Sequence, residues 1–159
     1  TGPADPHAEP TAHQGELLYA KTKGWKLLCA NPDIVVDRGE RREWCAGAIA
    51  RLYDEMGGES LYFGKPHPPI YDLARRRLAH VAGGTSVEEA RILCIGDGIG
   101  TDIAGALGEG LDSLFVTGGL AARDTDTGPA PDGQPDPGKV ESVLADQQTT
   151  ATYAIGYLR

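Results

Sequence analysis

The feature that most constrains the fold is the stretch RILCIGDGIGTDIAG, residues 91–105, where an apolar run ends at an acidic residue and a glycine-rich turn. A near-continuous apolar run of this kind is typical of a parallel strand that is covered on both faces. Apolar residues resume at helical spacing after Thr101, so we expect a helix to begin there. The stretch therefore predicts a strand followed directly by a helix, which is the repeating unit of α/β folds.

The rest of the chain alternates in the same way between strand-like and helix-like segments. Strands are predicted at residues 25–30, 60–64, 112–119 and 151–158, and helices at residues 15–24, 40–58, 68–81 and 138–146. We expect the buried faces of the two longest helices to consist of Cys45, Ile49, Leu52 and Met56 and of Ile70, Leu73, Ala74, Leu78 and Val81. The sequence thus predicts an α/β fold with a parallel sheet.

Composition excludes several classes of partner. The net charge of −8 on 159 residues argues against a nucleic-acid partner, because phosphate backbones attract clustered Lys and Arg. No apolar run approaches the roughly 20 residues needed to span a bilayer, so we expect no membrane partner. Three widely spaced cysteines, Cys29, Cys45 and Cys94, are typical of buried, reduced thiols. We therefore predict a cytoplasmic protein.

Two carboxylates, Asp97 and Asp102, flank the glycine-rich turn. Asp97 stands at the carboxyl end of the predicted strand, where ligands bind in open parallel sheets, and Gly98 and Gly100 allow close backbone approach. Two adjacent anions are costly unless a cation lies between them, and Mg²⁺ is often held by one or two carboxylates and a substrate phosphate. The pattern predicts a magnesium site. In the alternative interpretation, Asp102 caps a helix and Asp97 ends a strand in water.

Lys65 is the expected complement to this acidic pair. In FGKPHPPIY, residues 63–71, it follows a predicted strand and precedes the helix that leads to the Asp97 strand. A lysine there can neutralise a phosphate, although an isolated Gly-Lys-Pro would more often be a surface turn. Two other phosphate motifs are excluded: Thr101 replaces the third glycine of G-x-G-x-x-G, and neither Gly-Lys pair continues as a P-loop.

These motifs resemble a known family. GKPHPPIYDLA followed by ILCIGDGIGTDIAGALGEGLDSLFVTGG, with its Gly-Asp-x-x-x-Thr-Asp element, is similar to the haloacid dehalogenase-like hydrolases. Within this family, the motifs most resemble those of the class IIA group, which includes p-nitrophenyl phosphatase-like and sugar- or nucleotide-phosphate phosphatases. CANPD, residues 29–33, resembles that group's cap segment. The resemblance extends over about residues 15–119.

The resemblance implies a Rossmann-like core with an α/β cap and Mg²⁺-dependent phosphoryl transfer through an aspartyl-phosphate. Residues 1–60 would be the rear part of the cap, and residues 61–159 the C-terminal half of the core, with an irregular, mobile loop at 119–139. Lys65 would orient the phosphate, and Asp97 and Asp102 would be the acidic pair of the metal site. The substrate would be a small phosphorylated metabolite.

The family's nucleophile, in an Asp-x-Asp-Gly element after an N-terminal strand, has no counterpart in this sequence. The segment DTDTG at residues 124–128 has a similar residue pattern, but no buried strand precedes it. Because a nucleophile must lie within bonding reach of phosphorus, we do not expect this segment to supply it. We therefore expect this chain to be the back part of a longer enzyme. Its uncovered sheet edge would invite a second copy or a complementing chain. The rival hypothesis is an inactive fragment or pseudoenzyme that binds metal and phosphate or serves as an assembly partner.

Several other residues are candidates for lesser roles. Asn31 and Asp33 sit at a predicted strand end in the cap and could face the substrate, or they could simply terminate the strand. Arg38 could bind a substrate anion or be solvated, and His67 could support Lys65 or lie on the surface. The side chains of Trp25 and Trp44 are expected in the core.

Overall fold

The computed structural model describes residue 5, residues 7–38 and residues 41–158, with the side chains of residues 37 and 38 outside the described part. The chain divides into two compact units, a first unit that ends at Ile70 and a second unit that begins at Tyr71. Each unit is described by itself below. The predicted division between cap and core after residue 60 stays a prediction.

The first unit contains a two-stranded parallel sheet and a separate hairpin-like pair. After a 3₁₀ turn at Pro10–His13, its elements are α1 (Gln14–Thr22), β1 (Lys26–Cys29), β2 (Val35–Arg38), β3 (Arg41–Trp44), α2 (Ala46–Glu55) and β4 (Glu59–Tyr62). Strands β1 and β4 pair in parallel with Lys26 opposite Glu59. Strands β2 and β3 pair antiparallel with Val35 opposite Trp44. Helix α3 (Pro68–Val81) begins in this unit and ends in the second.

The predicted helix at 40–58 is wrong in its first part, because β3 occupies residues 41–44. The residues of β3 favour helix as much as strand, but pairing with the valine-rich β2 supplies partners for their backbone groups, and this tertiary contact overrides local propensity. Helix α2 begins only after Cys45, which has an extended backbone. Its fully buried residues are Gly47, Ala48, Ala50 and Tyr53, whereas Ile49, Leu52 and Met56 are only partly buried.

Trp25 was expected in the core, and this prediction is wrong, since 58% of the residue is exposed. Gly24, with φ of +68°, ends the turn after α1, and Trp25 lies just before β1. Its ring contacts Tyr19 edge-on, with centroids 5.9 Å apart, on the surface of the unit. Trp44 is partly buried.

The second unit is built around a parallel sheet in the order β5 (Leu93–Gly96), β6 (Asp112–Val116), β7 (Tyr153–Ile155). A single π turn, Ile99–Ile103, precedes the short helix α4 (Ala104–Gly108), and α5 is Pro137–Asp146. The core of the unit consists of Ile103, Phe115, Ala121, Val140 and Leu144. The predicted α/β class with parallel strands is thus confirmed.

Two surfaces that were expected to be buried are exposed. Strand β5 lies at the edge of its sheet, and Leu93 and Ile95 are 44% and 50% exposed. They alternate with Cys94 and Gly96, which point to the other face, where Phe115 and the core lie. On α3 only Tyr71 is buried, while Leu73, Leu78 and Val81 of the predicted apolar face are exposed. The predicted apolar face of α3 is therefore wrong as a buried face, because the one buried residue of this helix, Tyr71, lies outside the predicted set.

The predicted irregular loop at 119–139 is irregular over residues 119–136, but α5 occupies residues 137–139, and the irregular part is closely packed against the sheet. Thr125 is fully buried, and its hydroxyl lies 2.8 Å from both the Ala121 carbonyl and the Thr127 hydroxyl. Thr127 donates to Thr117 (2.8 Å), and Thr117 donates to the carbonyl of Ile155 in β7 (3.2 Å). A chain of three hydroxyls therefore connects this segment to β6 and β7.

Within the described part of the chain, no helix has the length and apolar character required to cross a bilayer.

Candidate active site

The turn after β5 returns Asp102 to the end of the strand that carries Asp97. The amides of Asp102 and Ile103 both donate to the carbonyl of Gly98, at 2.8 and 3.1 Å. The hydrogen bond from Ile103, which spans five residues, defines the π turn. The Asp102 carboxylate in turn accepts a hydrogen bond from the Gly98 amide at 3.1 Å. The predicted helix from Thr101 thus starts as a π turn, with regular α-helix only from Ala104.

Close packing of the Asp102 carboxylate requires glycine at two positions. A Cβ at Gly96 would overlap the Asp102 side chain and lie 2.5 Å from its Oδ2. A Cβ at Gly98 would overlap the Thr101 hydroxyl and lie 3.1 Å from Asp102 Oδ2. The prediction of close approach at Gly98 is confirmed, whereas the same prediction for Gly100 is wrong, because a Cβ there would meet open space. The close approach at Gly96 was not predicted from the sequence.

The Asp97 carboxylate lies against the loop that follows β6. Its Oδ2 accepts a long hydrogen bond, 3.4 Å, from the Leu120 amide. A Cβ at Gly119 would overlap the same oxygen. Parallel pairing with Gly96 opposite Phe115 brings the carboxyl ends of β5 and β6 together and so explains the contact. Gly119 and Leu120 were not identified from sequence, because only the sheet register places them beside Asp97.

The residues present fit a magnesium ion, which needs hard oxygen ligands. Asp97 and Asp102 bracket one strand end at the edge where parallel sheets bind ligands. No group of three or more His, Cys, Asp or Glu side chains suited to a metal occurs in the described residues. Mg²⁺ commonly takes one or two carboxylates and completes its octahedron with waters and substrate phosphate, so a two-carboxylate donor set matches that ion and not zinc.

Lys65 belongs to the first unit, where it lies next to the other predicted substrate residues. It is exposed and follows Gly64, whose backbone packs on the segment after β1; a Cβ at Gly64 would overlap Pro32 and lie 2.7 Å from the Ala30 carbonyl. Asn31 and Asp33 flank that proline, and the Asn31 side chain accepts from the Asp33 amide at 3.3 Å. The structure thus brings Lys65, Asn31 and Asp33 to the carboxyl ends of β4 and β1.

His67 packs on Tyr62, with ring centroids 5.0 Å apart and planes inclined by 21°. The Tyr62 hydroxyl donates to Asp54 at 2.6 Å. Burial, together with this bond to a carboxylate, raises the pKa of Tyr62 to about 12. The stacking gives His67 a structural contact near Lys65. The prediction for Arg38 concerns a side chain outside the described part of the chain.

Tyr71, on α3, is a buried side chain near Asp102 that the sequence analysis did not single out. Burial, which is the largest cause, and the negative charges of Cys94, Asp102 and Glu109 together raise the pKa of Tyr71 to about 12. Tyr71 is therefore a neutral hydroxyl at neutral pH. Its position in GKPHPPIY, six residues after Lys65, is the signal that could have drawn attention to it.

The DTDTG segment has a structural arrangement that differs from a nucleophile site. Asp126, with φ of +51°, pairs with Lys139 at 3.0 Å, and Thr125 and Thr127 belong to the hydroxyl chain. The segment forms a turn before α5.

A cavity of about 290 Å³ lies elsewhere in the second unit, between α3 and residues 86–92. Arg75 lines it and forms ion pairs with Glu89 at 3.0 Å and Glu109 at 2.5 Å. The hydrogen bond that Arg75 donates to Glu109 is the main cause that raises the pKa of Arg75. None of the predicted site residues lines this cavity, so it does not mark the acidic pair.

Comparison with known proteins places these features in a family. The HAD-hydrolase-like family model matches residues 62–146, more than half of the chain, including Lys65, Asp97 and Asp102. This chain belongs to the haloacid dehalogenase-like hydrolase family. The resemblance predicted from the motifs is thereby confirmed. The curated proteins include no match to the sequence.

Solved structures extend the likeness over nearly the whole chain. A haloacid dehalogenase-like hydrolase from Brucella suis 1330 is 39% identical, with a TM-score of 0.75 over 98% of this chain and 52% of that one. A double mutant of the thermostable NPPase from Geobacillus stearothermophilus is 26% identical, with a TM-score of 0.52 over 76% of this chain and 44% of that one.

A p-nitrophenyl phosphatase from Archaeoglobus fulgidus, 19% identical, shares the fold with a TM-score of 0.58 over 88% of this chain and 46% of that one. The chain spans about half the length of these structures.

Proposed function

We propose that this chain carries the lysine and the acidic pair of a Mg²⁺-dependent phosphatase that acts on a small phosphorylated metabolite. The observation that supports it most is the placement of Asp97 and Asp102 at the end of one parallel strand in a haloacid dehalogenase-like chain. When bound, Mg²⁺ would neutralise the phosphate and the two carboxylates. We assign residues 1–60 to the rear part of the cap and residues 61–159 to the C-terminal half of the core.

Each candidate residue has a role in this proposal. Asp97 and Asp102 would hold the cation through carboxylate oxygens, and Lys65 would orient the phosphoryl group through its positive charge. Asn31 and Asp33, beside Lys65 in the first unit, would contact the substrate. We place the protein in the cytoplasm, because Cys29, Cys45 and Cys94 each carry a free thiol.

The chemistry would take two steps. An aspartate carboxylate attacks phosphorus and displaces the ester oxygen, which takes up a proton, and water then cleaves the aspartyl-phosphate to release inorganic phosphate. The sequence of this chain contains no Asp-x-Asp-Gly element, so we assign the nucleophile to sequence outside these residues. Turnover would then require a further segment.

The second candidate is a chain without catalytic activity that binds metal and phosphate or assembles with another chain. The exposed Leu93 and Ile95 on the edge strand β5 favour an assembly role, because parallel strands are usually buried on both faces. A second copy or a complementing chain would cover them.

Cation binding and turnover distinguish the two candidates. We expect the chain to bind Mg²⁺, measured by calorimetry, and Asp97→Asn to weaken binding by about tenfold or more. Because turnover would require the further segment that supplies the nucleophile, hydrolysis of p-nitrophenyl phosphate with Mg²⁺ is measured on a longer protein that includes that segment, and activity that disappears in Asp97→Asn and Lys65→Ala would support an enzyme. Cation binding without hydrolysis by that longer protein would favour the binding role. A folded chain that does not bind the cation would contradict both the enzyme and the metal-binding role and would leave only the assembly role.

A further inference from the structure

We propose that the turn at Gly119–Leu120, which follows β6, positions the Asp97 carboxylate for cation binding and that only glycine fits at residue 119. This inference rests on the proposed function, because it concerns one of the two carboxylates assigned to Mg²⁺. The sequence motif alone places the site within residues 96–102, and this proposal adds a turn that follows a different strand, β6.

Contact between Gly119 and Asp97 is closer than any side chain at residue 119 would allow. A Cβ there would overlap Asp97 Oδ2 and lie 2.8 Å from both Asp97 Cβ and Cγ. The Leu120 amide meanwhile donates to the same Oδ2 at 3.4 Å. The turn thus fixes the carboxylate sterically from one residue and by a hydrogen bond from the next.

The backbone of the turn cannot easily move away from Asp97. The amide of Thr117 donates to Ile155 at 2.9 Å and that of Gly118 donates to Gly156 at 2.8 Å, which extends the β6–β7 ladder to the start of the turn. A Cβ at Gly118 would also overlap Tyr157 and lie 2.5 Å from the Gly156 carbonyl. Because the turn is held from the β7 side, a side chain at residue 119 would displace Asp97.

The backbone of Asp97 has little freedom to move away from a side chain at residue 119. It follows Gly96, which pairs with Phe115, and precedes the buried Gly98, whose carbonyl closes the π turn. The side chain would therefore rotate away from its present direction. Groups that orient metal ligands typically contribute 10- to 100-fold to metal affinity, roughly the loss we expect here.

The test compares Gly119→Ala with wild type by titration with Mn²⁺, whose free concentration is followed by electron paramagnetic resonance. We expect Gly119→Ala to bind Mn²⁺ about 10- to 100-fold more weakly. Gly108→Ala is the matched control, because Gly108 is exposed and a Cβ there meets open space. This control should bind Mn²⁺ as wild type does.

A second measurement covers the case in which Gly119→Ala folds poorly. In an Asp97→Ala background the overlapping Oδ2 and Cγ are gone, so Gly119→Ala should lower the thermal midpoint less than it does in wild type. Equal losses in both backgrounds, or unchanged Mn²⁺ affinity in a folded Gly119→Ala, would overturn the inference. Wild type that binds no Mn²⁺ would instead overturn the proposed metal site itself.

Discussion

Tyr62 holds its proton more tightly than an ordinary tyrosine, and the cause is local. Burial is the largest contribution, followed by the hydrogen bond and charge of Asp54, and together they raise its pKa to about 12. In the unfolded chain a tyrosine loses its proton near pH 10. The stabilising effect is therefore complete below about pH 10 and is lost as the pH rises towards 12.

We predict that Tyr62 and Tyr71 ionise late when tyrosinate absorbance is followed during an alkaline titration. Tyr62→Phe should remove one late component, and Asp54→Asn should shift it towards the ordinary range. Tyr71 serves as an internal control, since neither change touches its neighbours. Six tyrosines that ionise together near pH 10 would contradict the prediction.

At the scale of one element, the segment 119–136 has definite structure without being a helix or strand. The hydroxyl groups of Thr117, Thr125 and Thr127 make four hydrogen-bond contacts with three protons, so one proton is shared between two acceptors. Such a network is costly to interrupt because the groups are shielded from water.

We predict that Thr125→Val lowers the free energy of unfolding by about 1 kcal/mol, because the change keeps the shape of the side chain and removes the hydrogen bonds of a buried hydroxyl to Ala121 and Thr127. Denaturation with urea measures the effect. Thr150→Val is the control, since Thr150 is exposed, and we expect it to stay within about 0.5 kcal/mol of wild type. Equal stability of Thr125→Val and wild type would mean that the hydroxyl chain contributes nothing.

At the scale of the whole molecule, apolar surface remains where parallel sheets are usually covered. Leu93 and Ile95 on β5 and Tyr153 on β7 are exposed, and α3 presents Val81 at 83% exposure. Exposed apolar groups in such number typically mark contacts with another chain.

We predict that the purified chain associates and that Ile95→Lys shifts it towards monomer in sedimentation velocity, since a charge would be costly in a covered interface. Leu107→Lys is the matched control: Leu107 on α4 is 49% exposed, close to the 50% of Ile95, and lies off the sheet. A wild-type chain that stays monomeric would argue against the assembly role.

Much of the fold could be predicted from periodicity and turn residues. The strands β1, β4, β5 and β6 and the helices α1, α3 and α5 lie where the pattern placed them. Strands β2 and β3 were both missed, and β3 in particular has charged residues that carry no strand signal, so only its pairing with β2 makes it a strand. Gly96 and Gly119 were missed for a related reason, since their partners are set by a π turn and by sheet register.

By itself the sequence determined the class of fold, the family and the turn that carries Asp97 and Asp102, because these depend on local residue order and short spacings. The tertiary structure alone decided that Gly119 and Leu120 of the neighbouring strand's loop lie against Asp97 and that Ile95 faces solvent. The physical reason is that parallel pairing joins segments about 20 residues apart, so side chains meet through register and layer packing that no local pattern encodes.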